Sequence, residues 1–117
     1  MESRRTGERR KAAMRFRKRI EVRYGPRTPE HTGYSGNISR TGIMIRTTRV
    51  YGPGTTMYME LIFSKQTIRV SGLVTWAREG SVQLLSTGRI GMGLKFIDPP
   101  QELMALVDAR GLDQSAP

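Results

Sequence analysis

Cysteine is absent from this 117-residue chain. No disulfide and no thiolate metal site can form, which fits a reducing compartment. There is one histidine, His31, so a histidine cluster and the usual zinc chemistry are excluded. Long apolar runs are also missing. Leu103 to Val107 is about the longest, far below the roughly 20 residues of a membrane span. The charged start is followed by no apolar h-region and does not read as a secretory signal. A soluble, cytoplasmic protein is expected. Acids are scarce, 10 against 20 Lys and Arg. Glu21, Glu60 and Glu79 fall on outward strand positions or near a turn, and His31 falls in a Pro/Gly-rich loop. No nucleophile–base set, carboxylate pair or metal set emerges. The expectation is a protein that is not an enzyme and has no cofactor.

What is present is one-sided charge. The formal net charge is +10, and residues 1–19 carry nine basic residues against two acids. A basic arm on a nearly balanced body points to an anionic partner: a nucleotide, a nucleic acid or an acidic surface. Residues 1–17 have no clean apolar period and read as a flexible arm that orders on binding.

Residues 18–111 read as one small domain, with 112–117 a frayed tail. Ile20 to Tyr24 alternates apolar and charged, as a half-buried strand does. Thr32 to Ile38 is a weaker strand, and Ile43 to Thr48 a β-branched one. Thr56 to Phe63 puts Met57, Met59, Leu61 and Phe63 on one face. Residues 67–77 put Ile68, Val70, Val74 and Trp76 on one face, with Gly72 marking a bulge or bend. Ser81 to Leu85 reads as a short edge strand. Ile90 to Phe96 closes the set, with Met92, Leu94 and Phe96 inward. A helix follows, with Asp98 as N-cap, Pro99 at N1, Gln101 completing a capping box and Gly111 at C′. Leu103, Leu106, Val107 and Arg110 share one face of that helix. The fold class is all-β: a small antiparallel six-stranded barrel with one C-terminal helix covering an open end.

The most informative stretch is Asn37-Ile38-Ser39-Arg40-Thr41-Gly42. As turn chemistry, Asn and Ser bond their own backbone and Gly42 supplies positive φ. As a ligand wall, Asn37 and Ser39 are two apart and project from one face of an extended segment. Asn offers an acceptor and two donors, and Ser one of each. Both readings stand on spacing alone. Gly91-x-Gly93 lacks the third glycine and the strand-to-helix setting of a dinucleotide loop.

With these residues the chain resembles the PilZ domain family, the bacterial receptor module for cyclic di-GMP. That family carries a [D/N]xSxxG motif on its barrel, complete here as Asn37-x-Ser39-x-x-Gly42, and an RxxxR motif in an N-terminal arm. "VSGLVTWA" and "IGMGLKF" resemble its later strands. The resemblance spans about residues 8 to 110. For the arm, "ERRKAAMRF" fits the context, with Arg9, Arg10 and Arg15. The residue four before Arg15 is then Lys11. Strict RxxxR pairs occur at Arg15/Arg19 and at Arg5/Arg9, but Arg19 abuts the first strand directly.

The resemblance implies a cyclic di-GMP site built from Arg9, Arg10, Arg15, Asn37, Ser39 and Gly42. Arg binds the guanine O6/N7 edge bidentately, worth about 1–3 kcal/mol of discrimination, and stacks on purines and chelates phosphate. Lys11, Arg19, Arg40 and Trp76 are secondary candidates. Arg40 would add positive potential. Trp76 would stack on a base, although its alternation places it in the core. The arm would fold over the ligand and a downstream protein partner would read the change. The rival readings are a ligand-free PilZ-like interaction module and a nucleic-acid-binding barrel. The second lacks the exposed aromatic platform of such barrels.

Overall fold

The computed structural model describes residues 19–110. Six strands form: β1 (Glu21–Gly25), β2 (His31–Ile38), β3 (Gly42–Arg46), β4 (Thr56–Ile62), β5 (Thr67–Arg78) and β6 (Gly91–Ile97). They pair antiparallel in the order β1-β2-β3-β6-β5-β4, and β4 pairs back onto β1 to close a barrel. Helix α1 (Gln101–Arg110) follows β6. The all-β class with one C-terminal helix is as the sequence indicates.

The strand periodicities explain closure. Val22 and Tyr24 of β1, Met57, Met59 and Leu61 of β4, and Met92, Leu94 and Phe96 of β6 all point inward and are buried. Each such side chain gains about 1.5–3 kcal/mol over exposure, and closure removes the sheet edges. Leu103 and Val107 of α1 are fully buried in the same cluster. The helix therefore completes the barrel core. Gly72 needs no bulge: the Met59 methyl fills the space a side chain there would take.

The Ser81–Leu85 edge strand does not form. Val82–Thr87 is a 3₁₀ helix with no buried residue. A closed barrel offers this connection no free edge to pair with, so the chain turns on itself. Leu84 N–H donates to the Ser81 carbonyl at 2.9 Å, and Gly88 ends the turn at φ 73°.

The helix start also differs. Asp98 adopts φ 47°, not the extended conformation of an N-cap. Proline disfavours α conformation in the residue before it, so Pro100 holds Pro99 out of the helix. The Pro100 carbonyl instead accepts from Leu103 and Met104 N–H at 3.0 and 3.3 Å.

His31 is not a loop residue. It opens β2, its Nε2 lies 2.8 Å from the Tyr51 hydroxyl, and its ring packs 5.4 Å from that of Tyr24. Tyr24 is buried. Its hydroxyl donates to the Arg49 carbonyl at 2.6 Å and accepts from Thr47 at 2.7 Å. Burial pushes the Tyr24 phenol above its ordinary value, and the Thr47 bond opposes this in part.

Candidate functional site

Two bulges on separate strands turn side chains onto one patch of the outer face. The first is in β2. Ser35 pairs with Ile45, but Asn37 pairs with Met44, so Gly36 is an extra residue. Strict alternation would send Asn37 inward after buried Ser35. The inserted residue reverses the parity, as bulges do. Asn37 becomes exposed and Ile38 becomes core.

The second bulge is in β5. Val74 pairs with Leu94, but Trp76 pairs with Gly93, which leaves Thr75 extra. Trp76 therefore leaves the face it would share with Ile68, Val70 and Val74. Its placement in the core is overturned: Trp76 is 42% exposed. Gly93 makes room for it. A Cβ on Gly93 would lie 2.5 Å from indole Cε2 and 2.6 Å from Cδ1, and closer still to Nε1.

Across the sheet these residues form one cross-strand row. Asn37 of β2 pairs with Met44 of β3, Met44 with Gly93 of β6, and Gly93 with Trp76 of β5. The row floors an open cleft of about 390 Å³, also lined by Ser39, Thr41, Gly42 and Thr75. None of the lining residues is acidic. The cleft thus presents an amide, three hydroxyls and a half-exposed indole to solvent. That set can hydrogen-bond an anion or a base edge and stack on a ring.

The turn 39–42 is tight. Ser39 N–H donates to the Gly42 carbonyl at 2.9 Å, and Thr41 N–H donates to Ser39 Oγ at 3.2 Å. Ser39 therefore makes turn chemistry and also lines the cleft. Gly42 is not there for positive φ, which it does not adopt. A Cβ on it would collide with the Leu94 carbonyl oxygen, so its role is close approach of β3 to β6.

Among the described secondary candidates, Arg40 does not line the cleft. Its Nη1 donates to both carboxylate oxygens of Asp108 on α1, at 2.8 and 2.6 Å. Arg19 lies just before β1, its guanidinium 5.8 Å from the Tyr34 ring centroid. Arg9, Arg10, Lys11 and Arg15 lie outside the described residues.

One residue escaped the sequence reading. Arg46, outward on β3 two positions after Met44, pairs with Tyr34. Its Nε is buried with no hydrogen-bond partner among the described residues. Gly36 and Gly88 border it: Cβ atoms there would lie 2.9 Å from its Nε and 3.3 Å from its Nη2. The only signal in the sequence was its parity with Met44.

A larger cleft of about 710 Å³ lies elsewhere, between Arg27, Tyr58, Glu60, Arg69 and Asp98. Size does not favour it for an anion. Two carboxylates line it, and Arg69 is engaged by Glu60 at 3.6 Å.

No helix among the described residues is long and apolar enough to cross a membrane. No curated protein and no solved structure matches the chain. The family model described as PilZ domain matches residues 3–109. That match covers nearly the whole chain, through both bulged strands and the Asn37-x-Ser39-x-x-Gly42 turn, and the chain belongs to the PilZ domain family.

Proposed function

We propose that this protein is a cyclic di-GMP receptor that uses the Asn37–Trp76 row as its ligand wall. The PilZ family is a family of cyclic di-GMP-binding receptor domains. The observation that carries the reading for this chain is the pair of bulges. They bring Asn37, Ser39 and Trp76 to one cleft free of carboxylates.

In this reading Asn37 meets a guanine edge through its amide. Ser39 and Thr41 hydroxyls donate to a phosphate oxygen, and Trp76 stacks on a base. Gly42 and Gly93 keep the backbone and indole where they are. Arg46 adds positive charge beside the row, and its Nε, without a partner among the described residues, favours an anion nearby. Arg9, Arg10 and Arg15 of the basic arm close over the ligand, with Lys11 and Arg19 as further cations. Closure redraws the surface charge, which a downstream protein partner reads. Binding without catalysis is the activity.

Isothermal titration with cyclic di-GMP tests this. Saturable binding at low micromolar Kd or tighter is expected, about −8 kcal/mol or better, with Ser39→Ala and Arg15→Ala each weakening it at least tenfold. Absence of binding at high ligand concentration would replace this reading with a ligand-free interaction module. Equal binding of a random DNA duplex at physiological salt would favour the nucleic-acid reading.

A further inference from the structure

We infer that Asp108, on α1, is a positioning residue for the cleft and acts on it through Arg40. The inference rests on the ligand reading above and extends it to a residue far from the motif in sequence. Arg40 lies between Ser39 and Thr41. Those two line the cleft and Arg40 does not. Its side chain reaches α1 instead, where Nη1 donates to both Asp108 oxygens.

Other ties hold the turn to itself and to β6. Ser39 N–H bonds Gly42, and the Ser39 and Thr41 hydroxyls lie 3.2 Å apart. The Thr41 carbonyl accepts from Phe96 N–H at 2.8 Å. Arg40–Asp108 therefore adds a tie to a separate element, 68 residues on. That element is fixed: Leu103 and Val107 anchor α1 in the barrel core with no exposure. Asp108 is thus a stationary point against which the turn is held. A phosphate oxygen that accepts from both hydroxyls breaks the contact between Ser39 Oγ and Thr41 Oγ1, while Ser39 Oγ can go on accepting from the Thr41 N–H. The turn keeps its hydroxyls aimed into the cleft during that exchange because Arg40 stays anchored.

An exposed ion pair adds little to global stability, so the effect of this one falls on orientation. Coupling of this kind is reciprocal. A partner protein that displaces α1 weakens ligand binding, and bound ligand resists that displacement.

The test uses the full chain in four forms: wild type, Asp108→Ala, Arg40→Ala and the double variant. Cyclic di-GMP titration should show each single variant weaker by about three- to tenfold, with the double variant no worse than either. The swap Arg40→Asp with Asp108→Arg should return affinity to within about twofold of wild type. A lower melting temperature with unchanged Kd in Asp108→Ala would mean a merely structural tie and would overturn the inference. Additive losses in the double variant would overturn it too. A second readout needs no ligand: amide hydrogen exchange at Ser39 and Thr41 should quicken about two- to fivefold in Asp108→Ala. Unchanged exchange there would overturn the positioning role. If wild type binds no cyclic di-GMP, the ligand reading falls and the exchange measurement alone decides whether Asp108 holds the turn.

Discussion

Gly93→Ala is a one-methyl change that separates the geometry of the site from its composition. A Cβ at Gly93 would sit 2.5–2.6 Å from the Trp76 ring atoms Cε2 and Cδ1, where carbon–carbon contact needs about 3.5–4.0 Å. One partner must move by about 1 Å or more. Gly93 is a barrel strand residue paired on both sides, to Met44 and to Trp76. The 42% exposed indole has open solvent to move into. The ring therefore swings off the row, while the fold loses only the contact of the ring with the sheet. Base–aromatic stacking is worth about 1–3 kcal/mol. At 1.4 kcal/mol per decade, its loss weakens cyclic di-GMP binding about 5- to 140-fold.

Trp76 is the sole tryptophan, so its emission reports directly. The free variant should show a red-shifted spectrum relative to wild type, and ligand should no longer quench it. Trp76→Ala should weaken binding to the same degree, and the double variant should be no weaker than Trp76→Ala alone. Wild-type emission and wild-type affinity in Gly93→Ala would refute the stacking geometry. So would a double variant whose losses add.

Other consequences follow from the same contacts. Leu103→Ala removes a fully buried anchor of α1 and should cost about 2–5 kcal/mol in denaturant unfolding. Arg46→Ala should weaken cyclic di-GMP binding and reduce the steepness of its salt dependence, since one cation beside the row is lost. Tyr24 is protonated in the fold and its phenol is held above the ordinary value by burial. Both folded and unfolded states keep that proton below about pH 10, so stability is level there. Above about pH 10 the unfolded state releases the proton first, and stability falls as pH rises. Tyr24→Phe should flatten that alkaline slope in thermal melts while lowering stability at neutral pH through the lost bonds to Thr47 and Arg49.

Much of this architecture was legible because one face of each strand is buried and one is not. The inward sets of β1, β4 and β6 are plain period-two patterns, and Leu103 and Val107 stand out on the helix. The Asn37-x-Ser39-x-x-Gly42 spacing was legible as well, and the structure places both polar residues at one cleft. The bulges were not legible. Ile68, Val70, Val74 and Trp76 keep perfect parity in the sequence, and one unpaired residue at Thr75 breaks it. The cause lies in pairing with β6, where Gly93 admits the indole, and no local property of residues 74–77 encodes that. In β2 a clue existed. Ile38 is of opposite parity to the small inward residues Gly33 and Ser35, which only an inserted residue reconciles. The Asp98-Pro99-Pro100 start was misread for a related reason: the capping pattern fits locally, but consecutive prolines delay the helix by two residues. The Arg40–Asp108 contact was invisible because it joins residues far apart in the chain through the docking of α1.

Amide chemical shifts of the ¹⁵N-labelled protein, followed as cyclic di-GMP is added, test the central claim most directly. The account predicts that the largest changes fall on Asn37 to Gly42, Met44, Thr75, Gly93 and the Trp76 indole N–H, and saturate together. Changes centred instead on Tyr58, Ser71 and Ile97 of the larger cleft, or no changes at saturating ligand, would contradict it.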